Sequence, residues 1–180
     1  MKNRKWSALW LTPVASLVHP TFAADYLTVN EAQKILFSKA DKFEPRKIEL
    51  TSDQLSQIKE RSGVRQRTKI PQIWHALAKN KLLGWFVVDE VIGKHEYITY
   101  AAALSPEGEV LGVEILSYRE THGGEVRGVE WRDKFKGKKL GDPFKLDVDV
   151  PNISGATLSC RNMLDGVKRL LVLQQVVGNG

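Results

Sequence analysis

Along residues 28–40, TVNEAQKILFSKA, the apolar positions Ala32, Ile35 and Leu36 recur at helical spacing, and the stem of Lys39 extends the stripe. Thr28 or Asn30 stands ready as an N-cap, with Glu31 in the first turn where a helix dipole favours a carboxylate. The pattern predicts a short helix. Residues 44–50, EPRKIEL, read as extended. TSDQLSQIKERSG then places Gln54 three residues after Thr51, a capping-box start, and Gly63 as a stop, so a second helix is expected over about 52–61.

From residue 83 the period changes. LGWFVVDEVIG, HEYITYAAALSPEG and EVLGVEILSYRE are rich in β-branched and aromatic residues and are punctuated by Gly93-Lys94 and Ser105-Pro106-Glu107-Gly108. Three antiparallel strands are expected at about 84–92, 96–104 and 109–118. THGGEVRG, residues 121–128, reads as a loop. VEWRDKFKG reads as a short amphipathic helix with Trp131 and Phe135 on one side, and DPFKLD, residues 142–147, as extended. A final helix follows from Leu158, Met163, Val167, Leu170 and Leu171, and residues 154–157 fall in its lead-in and first turn. No internal repeat or low-complexity linker interrupts the chain. The elements describe an α+β fold, a twisted antiparallel sheet with flanking helices, in a single domain, which suits 180 residues of which 42% are hydrophobic.

The first 23 residues stand apart. Lys2, Arg4 and Lys5 precede a mostly apolar run from Trp6 to Val18, and Thr21-Phe22-Ala23-Ala24 supplies small residues for cleavage. Residues 1–23 therefore read as a signal peptide and residues 24–180 as the working domain, located in the periplasm or otherwise outside the cytoplasm. The competing reading is a retained anchor, but a spanning helix wants about 20 apolar residues, and this run is shorter and contains Pro13. The leader's three basic residues account for half of the formal charge of +6, so the chain from Ala24 onward carries only +3. That balance gives no case for nucleic acid. Basic residues interleaved with acids, as in Lys59-Glu60-Arg61, read as solvated surface.

Cys160 is the only cysteine. Haem attachment through C-x-x-C-H, iron–sulfur ligation and thiolate zinc sites all need more. His75, His95 and His122 show no metal-ligand spacing, so no metal is expected. No G-x-S-x-G elbow is present, and no catalytic acid–base pair is assigned.

The stretch DVPNISGATLSCRNML, residues 149–164, concentrates small and hydroxylated residues just before the last helix. A helix N-terminus entered through small residues presents unpaired N–H groups and the positive end of the dipole, which favour phosphate. The alternative is an ordinary cap, since Ser and Thr before a helix cap it routinely. Local physics leaves both open.

SGATLS resembles the S/T-G-A-T motif of FMN-binding domains, the family represented in the C subunit of the sodium-pumping NADH:quinone reductase and the G subunit of the Rnf complex. GVEILSYRETHGGEVRGVEWRDKFKGK, residues 112–138, resembles the family's strand, its E-T-P-G loop and the segment that follows. The two motifs together span roughly residues 84–170. Two departures stand out: Pro151 occupies the place where the family often has Asp three residues before the motif serine, with Asp149 two residues earlier. His122 replaces the proline of E-T-P-G.

The resemblance implies FMN joined through its phosphate to Thr157. Ser154, Gly155, Ala156 and Ser159 would shape the phosphate pocket, Leu158 counts with them among the cofactor-binding residues, and Glu120, Thr121 and Gly123 would line the flavin ring. It also implies a separate FAD:protein FMN transferase for maturation and a membrane-bound redox partner, so the protein reads as an electron-transfer flavoprotein or a component of an oxidoreductase system rather than a stand-alone enzyme. His122 is a candidate tuner of flavin potential and Trp131 a candidate neighbour of the ring. Cys160, on the first turn, is read as packing. The rival from another class is a non-flavinylated periplasmic binding or adaptor module, in which residues 154–157 only cap the helix. A reductase with loosely bound FMN is a third reading.

Overall fold

Strands whose alternate positions are both apolar need cover on both faces of their sheet. The computed structural model, which describes residues 24–178, provides it. Strands β1 (Ala24–Asp25), β2 (Lys42–Arg46), β3 (Gln72–Ala78), β4 (Lys81–Ile92), β5 (Tyr97–Leu104) and β6 (Val110–Tyr118) form one antiparallel sheet in the order β1-β6-β5-β4-β3-β2. Its helices are α1 (Val29–Leu36), α2 (Ser52–Ser62), α3 (Val129–Arg132) and α4 (Thr157–Gly178). Trp85, Val87 and Val91 of β4 join a larger core with Ile58 of α2 and Met163, Val167 and Leu170 of α4. Phe86 and Val88 turn to a smaller core closed by Ala32 of α1 and Phe37. In β5, Tyr100, Ala102 and Leu104 divide from Ala101 and Ala103 in the same way.

The fold class is α+β, as expected. Both capping boxes form: Thr28 with Glu31, and Thr51 with Gln54, with Gly63 left-handed at the end of α2. The three expected strands are present as β4, β5 and β6. Three readings need correction. The first helix ends at Leu36, short of residue 40, because the Phe37 backbone leaves helical geometry. The extended stretch at 44–50 lies earlier, as β2. DPFKLD is not extended, since Phe144 and Asp147 hold positive φ, 47° and 62°.

The pattern also missed β3 and the start of β4. Their turn is Lys79-Asn80, with φ of 49° and 62°, a two-residue hairpin built without glycine or proline. The expected helix at 129–137 is broken into α3 and a 3-10 turn, Asp133–Phe135, and Trp131 and Phe135 do share a side, with ring centroids 5.2 Å apart.

One charge lies in the inward row of β4. Asp89, 8% exposed, pairs with Arg169 of α4 and accepts the Tyr100 hydroxyl at 2.9 Å. Arg169 also donates to the carbonyls of Arg65 at 3.0 Å and Glu90 at 3.3 Å. These bonds engage both terminal nitrogens of the guanidinium and leave its buried Nε–H without a partner, and the network ties α4 to the sheet.

The signal-peptide reading falls on residues 1–23, outside the described residues. Among the described residues no helix is long and apolar enough to cross a membrane, and no cluster of His, Cys, Asp or Glu could hold a metal ion.

Candidate functional site

The residues leading into α4 form a tight turn before they form a helix. Ala156 N–H donates to the Ile153 carbonyl at 3.0 Å across Ser154 and Gly155, and Gly155 takes φ of 79°. A turn with positive φ at its third residue selects glycine. The first helical bond then runs from Cys160 N–H to the Ala156 carbonyl at 3.0 Å, which makes Ala156 the residue at the cap. Ala156 has no side-chain acceptor. Among the described residues no hydrogen bond joins the hydroxyl of Ser154 or Thr157 to the helix, so the reading of 154–157 as side-chain caps does not hold.

The first turn divides by face. Ala156, Ser159 and Cys160 are buried, at 5%, 2% and 0% exposed, while Ser154, Gly155, Thr157 and Leu158 lie on the surface. Thr157 is therefore exposed at the first helical position of a 22-residue helix whose first turn holds no acidic residue. Unpaired first-turn N–H groups, the positive dipole end and the absence of a competing carboxylate make up a donor set suited to a phosphate. The phosphate-bearing cofactor named by the resemblance fits these residues.

The second motif is brought against the first by β6. Tyr118, the last residue of that strand, donates its hydroxyl to the His122 carbonyl and turns the chain back. Gly123, φ 80°, then packs directly on Ala156: a Cβ built there would overlap the Ala156 side chain and lie 2.7 Å from the Tyr118 hydroxyl. A Cβ on Gly155 would meet His122 Cβ at 4.0 Å. Residues 122–123 and 155–156, more than thirty positions apart in the chain, thus form one continuous surface. Burial pushes the Tyr118 phenol above its usual range despite the opposing Ser159 hydroxyl, so it stays a donor at neutral pH. No motif pointed to Tyr118. An aromatic closing a strand just before the loop was its only signal.

The remaining expected residues are distributed unevenly. Thr121, His122 and Gly123 line an open depression with Gly124, Glu125, Arg127 and Gly128. Glu120 instead folds back on the β4–β5 turn, accepting from His95 N–H at 2.6 Å and Glu96 N–H at 3.0 Å. Burial raises its carboxyl, but the backbone donors of Glu96, His95 and Lys94 outweigh that and hold it below the ordinary glutamate value. Its carboxylate anchors a hairpin.

Trp131 is 5% exposed and donates Nε1–H to the Pro151 carbonyl at 2.9 Å, fastening the approach to the motif from below. Asp149 pairs with Lys138 at 2.5 Å and accepts Lys145 N–H at 2.8 Å, which occupies both carboxylate oxygens inside its own loop. Cys160 is buried, and burial raises its thiol. His75 stacks on Trp85 across β3 and β4, with centroids 4.9 Å apart, and takes no part in this surface.

Comparisons with known proteins converge on this region. Residues 93–172, from the β4–β5 turn through most of α4, match the model of a family described as FMN-binding domain. Over 172 residues the chain is 26% identical to the G subunit of the proton-translocating ferredoxin:NAD(+) oxidoreductase complex of Clostridium ljungdahlii, a match that covers 90% of this chain and 80% of that one. Its fold is similar to the crystal structure of Shewanella oneidensis NqrC, with a TM-score of 0.55 and 21% identity, over 84% of this chain and 90% of the other. The matched stretch holds the Glu120–Gly123 loop, the Ser154–Thr157 turn and most of α4, and these likenesses indicate FMN as the cofactor.

Proposed function

We propose that this protein is an exported electron-transfer flavoprotein that carries FMN in phosphoester linkage to the Thr157 hydroxyl and relays electrons between redox partners at a membrane. The observation that carries this reading is the exposed Thr157 at the start of α4, one residue past an alanine cap and beside the packed Gly123–Ala156 contact. The alternative is a non-flavinylated binding or adaptor module with the same fold.

In this reading a transferase delivers the FMN half of FAD. Thr157 Oγ forms the new P–O bond to the FMN phosphorus as the bond to the AMP phosphate breaks. The hydroxyl proton leaves with AMP, and no electrons change hands. The first-turn N–H groups and the helix dipole would hold the phosphate anion, Gly155 and Ala156 would leave it room, and exposed Ser154 would flank it, while Ser159 lies on the buried face of the turn. Thr121, His122 and Gly123, which line an open depression beside this turn, would border the tethered group. When bound, the isoalloxazine accepts and returns electrons, and the protein supplies attachment, orientation and electrostatics. A bond to the chain suits export, because it keeps a diffusible cofactor from being lost.

The name of the Clostridium relative places that protein in a proton-translocating redox complex, which supports a membrane-bound redox partner here. The test is intact mass after coexpression with an FMN transferase. The wild-type chain is expected to gain one FMN less water and to keep its yellow colour after denaturation, and Thr157→Ala to gain nothing. An unmodified wild-type mass beside an active transferase refutes covalent attachment. Flavin released on denaturation would instead favour the loosely bound form.

A further inference from the structure

The net charge of this chain is concentrated in one short segment. Between residues 59 and 69 stand Lys59, Arg61, Arg65, Arg67 and Lys69 against the single acid Glu60, a local charge of +4 where the whole chain from Ala24 carries +3. All five basic side chains are exposed. Two close the last turns of α2 and three follow in the loop that leads to β3.

The loop does not lie at an arbitrary edge. The Arg67 guanidinium stacks over the Tyr97 ring at 4.0 Å, and Tyr97 pairs with Ile92 where the β4–β5 hairpin closes. Ile70, Ile92 and Tyr97 are 59%, 43% and 46% exposed. Asn162 of α4 donates to the Ile92 carbonyl at 2.7 Å, and Glu120 holds the adjoining turn through His95 and Glu96. Arg67 and the Ile92–Tyr97 pair thus lie toward the end of the sheet that also carries Thr157, whereas Arg61 donates to Gln175 near the far end of α4. Glu90 and Glu96 border the patch, and Glu90 is engaged by the Thr99 hydroxyl at 3.2 Å.

We propose that this end of the molecule docks on an anionic phospholipid surface, with Arg65, Arg67 and Lys69 over the headgroups and Ile70, Ile92 and Tyr97 reaching into the interface. A diffuse run of exposed cations beside exposed aliphatic and aromatic side chains is the combination that an anionic bilayer recognises. Docking by this end brings the Thr157 surface toward the membrane, and it does not depend on whether Thr157 is modified.

The test is vesicle flotation of the chain begun at Ala24. That chain keeps the sheet and both cores, and it omits a leader that would bind lipid by itself. Binding is expected to phosphatidylcholine vesicles containing about one third phosphatidylglycerol, not to phosphatidylcholine alone, and is expected to be lost in about 0.5 M salt. Each basic residue near such a surface contributes about fivefold, so Arg65→Gln/Arg67→Gln/Lys69→Gln together should weaken binding about a hundredfold. The carbonyls of Arg65 and Lys69, which bond to Arg169 and Leu50, survive the exchange.

The charge-matched variant Lys34→Gln/Lys39→Gln/Lys134→Gln, altered elsewhere on the exposed surface, should bind nearly as well as wild type. Thr157→Ala should bind as wild type whether or not the native chain is flavinylated. The proposal is overturned if both triple variants lose affinity equally, if neutral vesicles bind as well, or if anionic vesicles do not bind. The last result would turn attention to an acidic protein face.

Discussion

Replacing Gly123 with alanine tests the contact that joins the two halves of the site. Two separate costs add at this position. The backbone holds φ of 80°, where a Cβ costs about 1–2 kcal/mol. The new methyl would also overlap Ala156 and crowd the Tyr118 hydroxyl at 2.7 Å, and overpacking of this kind costs about 1–3 kcal/mol. The sum is a loss of about 2–5 kcal/mol.

The chain contains its own control. Gly63 holds φ of 86° with nothing within 4 Å of an added Cβ, so Gly63→Ala should lose only the backbone part, about 1–2 kcal/mol. Urea unfolding of both variants separates the two costs. Trimming Ala156→Gly in the Gly123→Ala background should restore part of the difference, because the cap position accepts glycine readily and the worst overlap is removed. Equal losses for Gly123→Ala and Gly63→Ala, or strictly additive effects of the changes at 123 and 156, would show that the loops do not press on each other.

Three further outcomes follow from the same geometry. Arg169→Met leaves Asp89 buried without its partner, and unfolding experiments should find a loss of about 3–5 kcal/mol; a loss under about 1 kcal/mol would mean that water reaches the pair. The folded Glu120 carboxyl lies below its ordinary value of 4.5, so its stabilising effect is fully present above that pH and is lost as pH falls through the folded value. The stability gap between wild type and Glu120→Gln should therefore hold steady at neutral pH and close on acidification; a gap that widens in acid would contradict the assignment. Cys160, fully buried with its thiol raised by burial, should react with a thiol reagent only on unfolding, and Cys160→Ser should leave flavin content unchanged. Rapid labelling of the native chain would instead indicate an open first turn.

What the sequence determined by itself is whatever acts within a few residues. Thr51 with Gln54 is a reciprocal side-chain and backbone pair three positions apart that reads directly from the chain, because its geometry is that of one helical turn, while the structure chose Thr28 over Asn30 for the matching pair with Glu31. The strands β4, β5 and β6 were legible from their density of β-branched and aromatic residues, and the small residues at 154–157 announced a close approach of backbone to something. Tertiary structure decided the rest. The β3 strand depends on a left-handed Lys79-Asn80 turn that carries no composition signal. Asp89 looks like a flaw in an apolar strand until Arg169, eighty residues later, meets it. Glu120 belongs to a motif by sequence and to the β4–β5 turn by hydrogen bonding. Whether the hydroxyls before α4 cap it was settled by one backbone bond to Ala156. Pairings of this kind are set by strand order and by competition for donors across the fold, and a linear pattern does not encode either one.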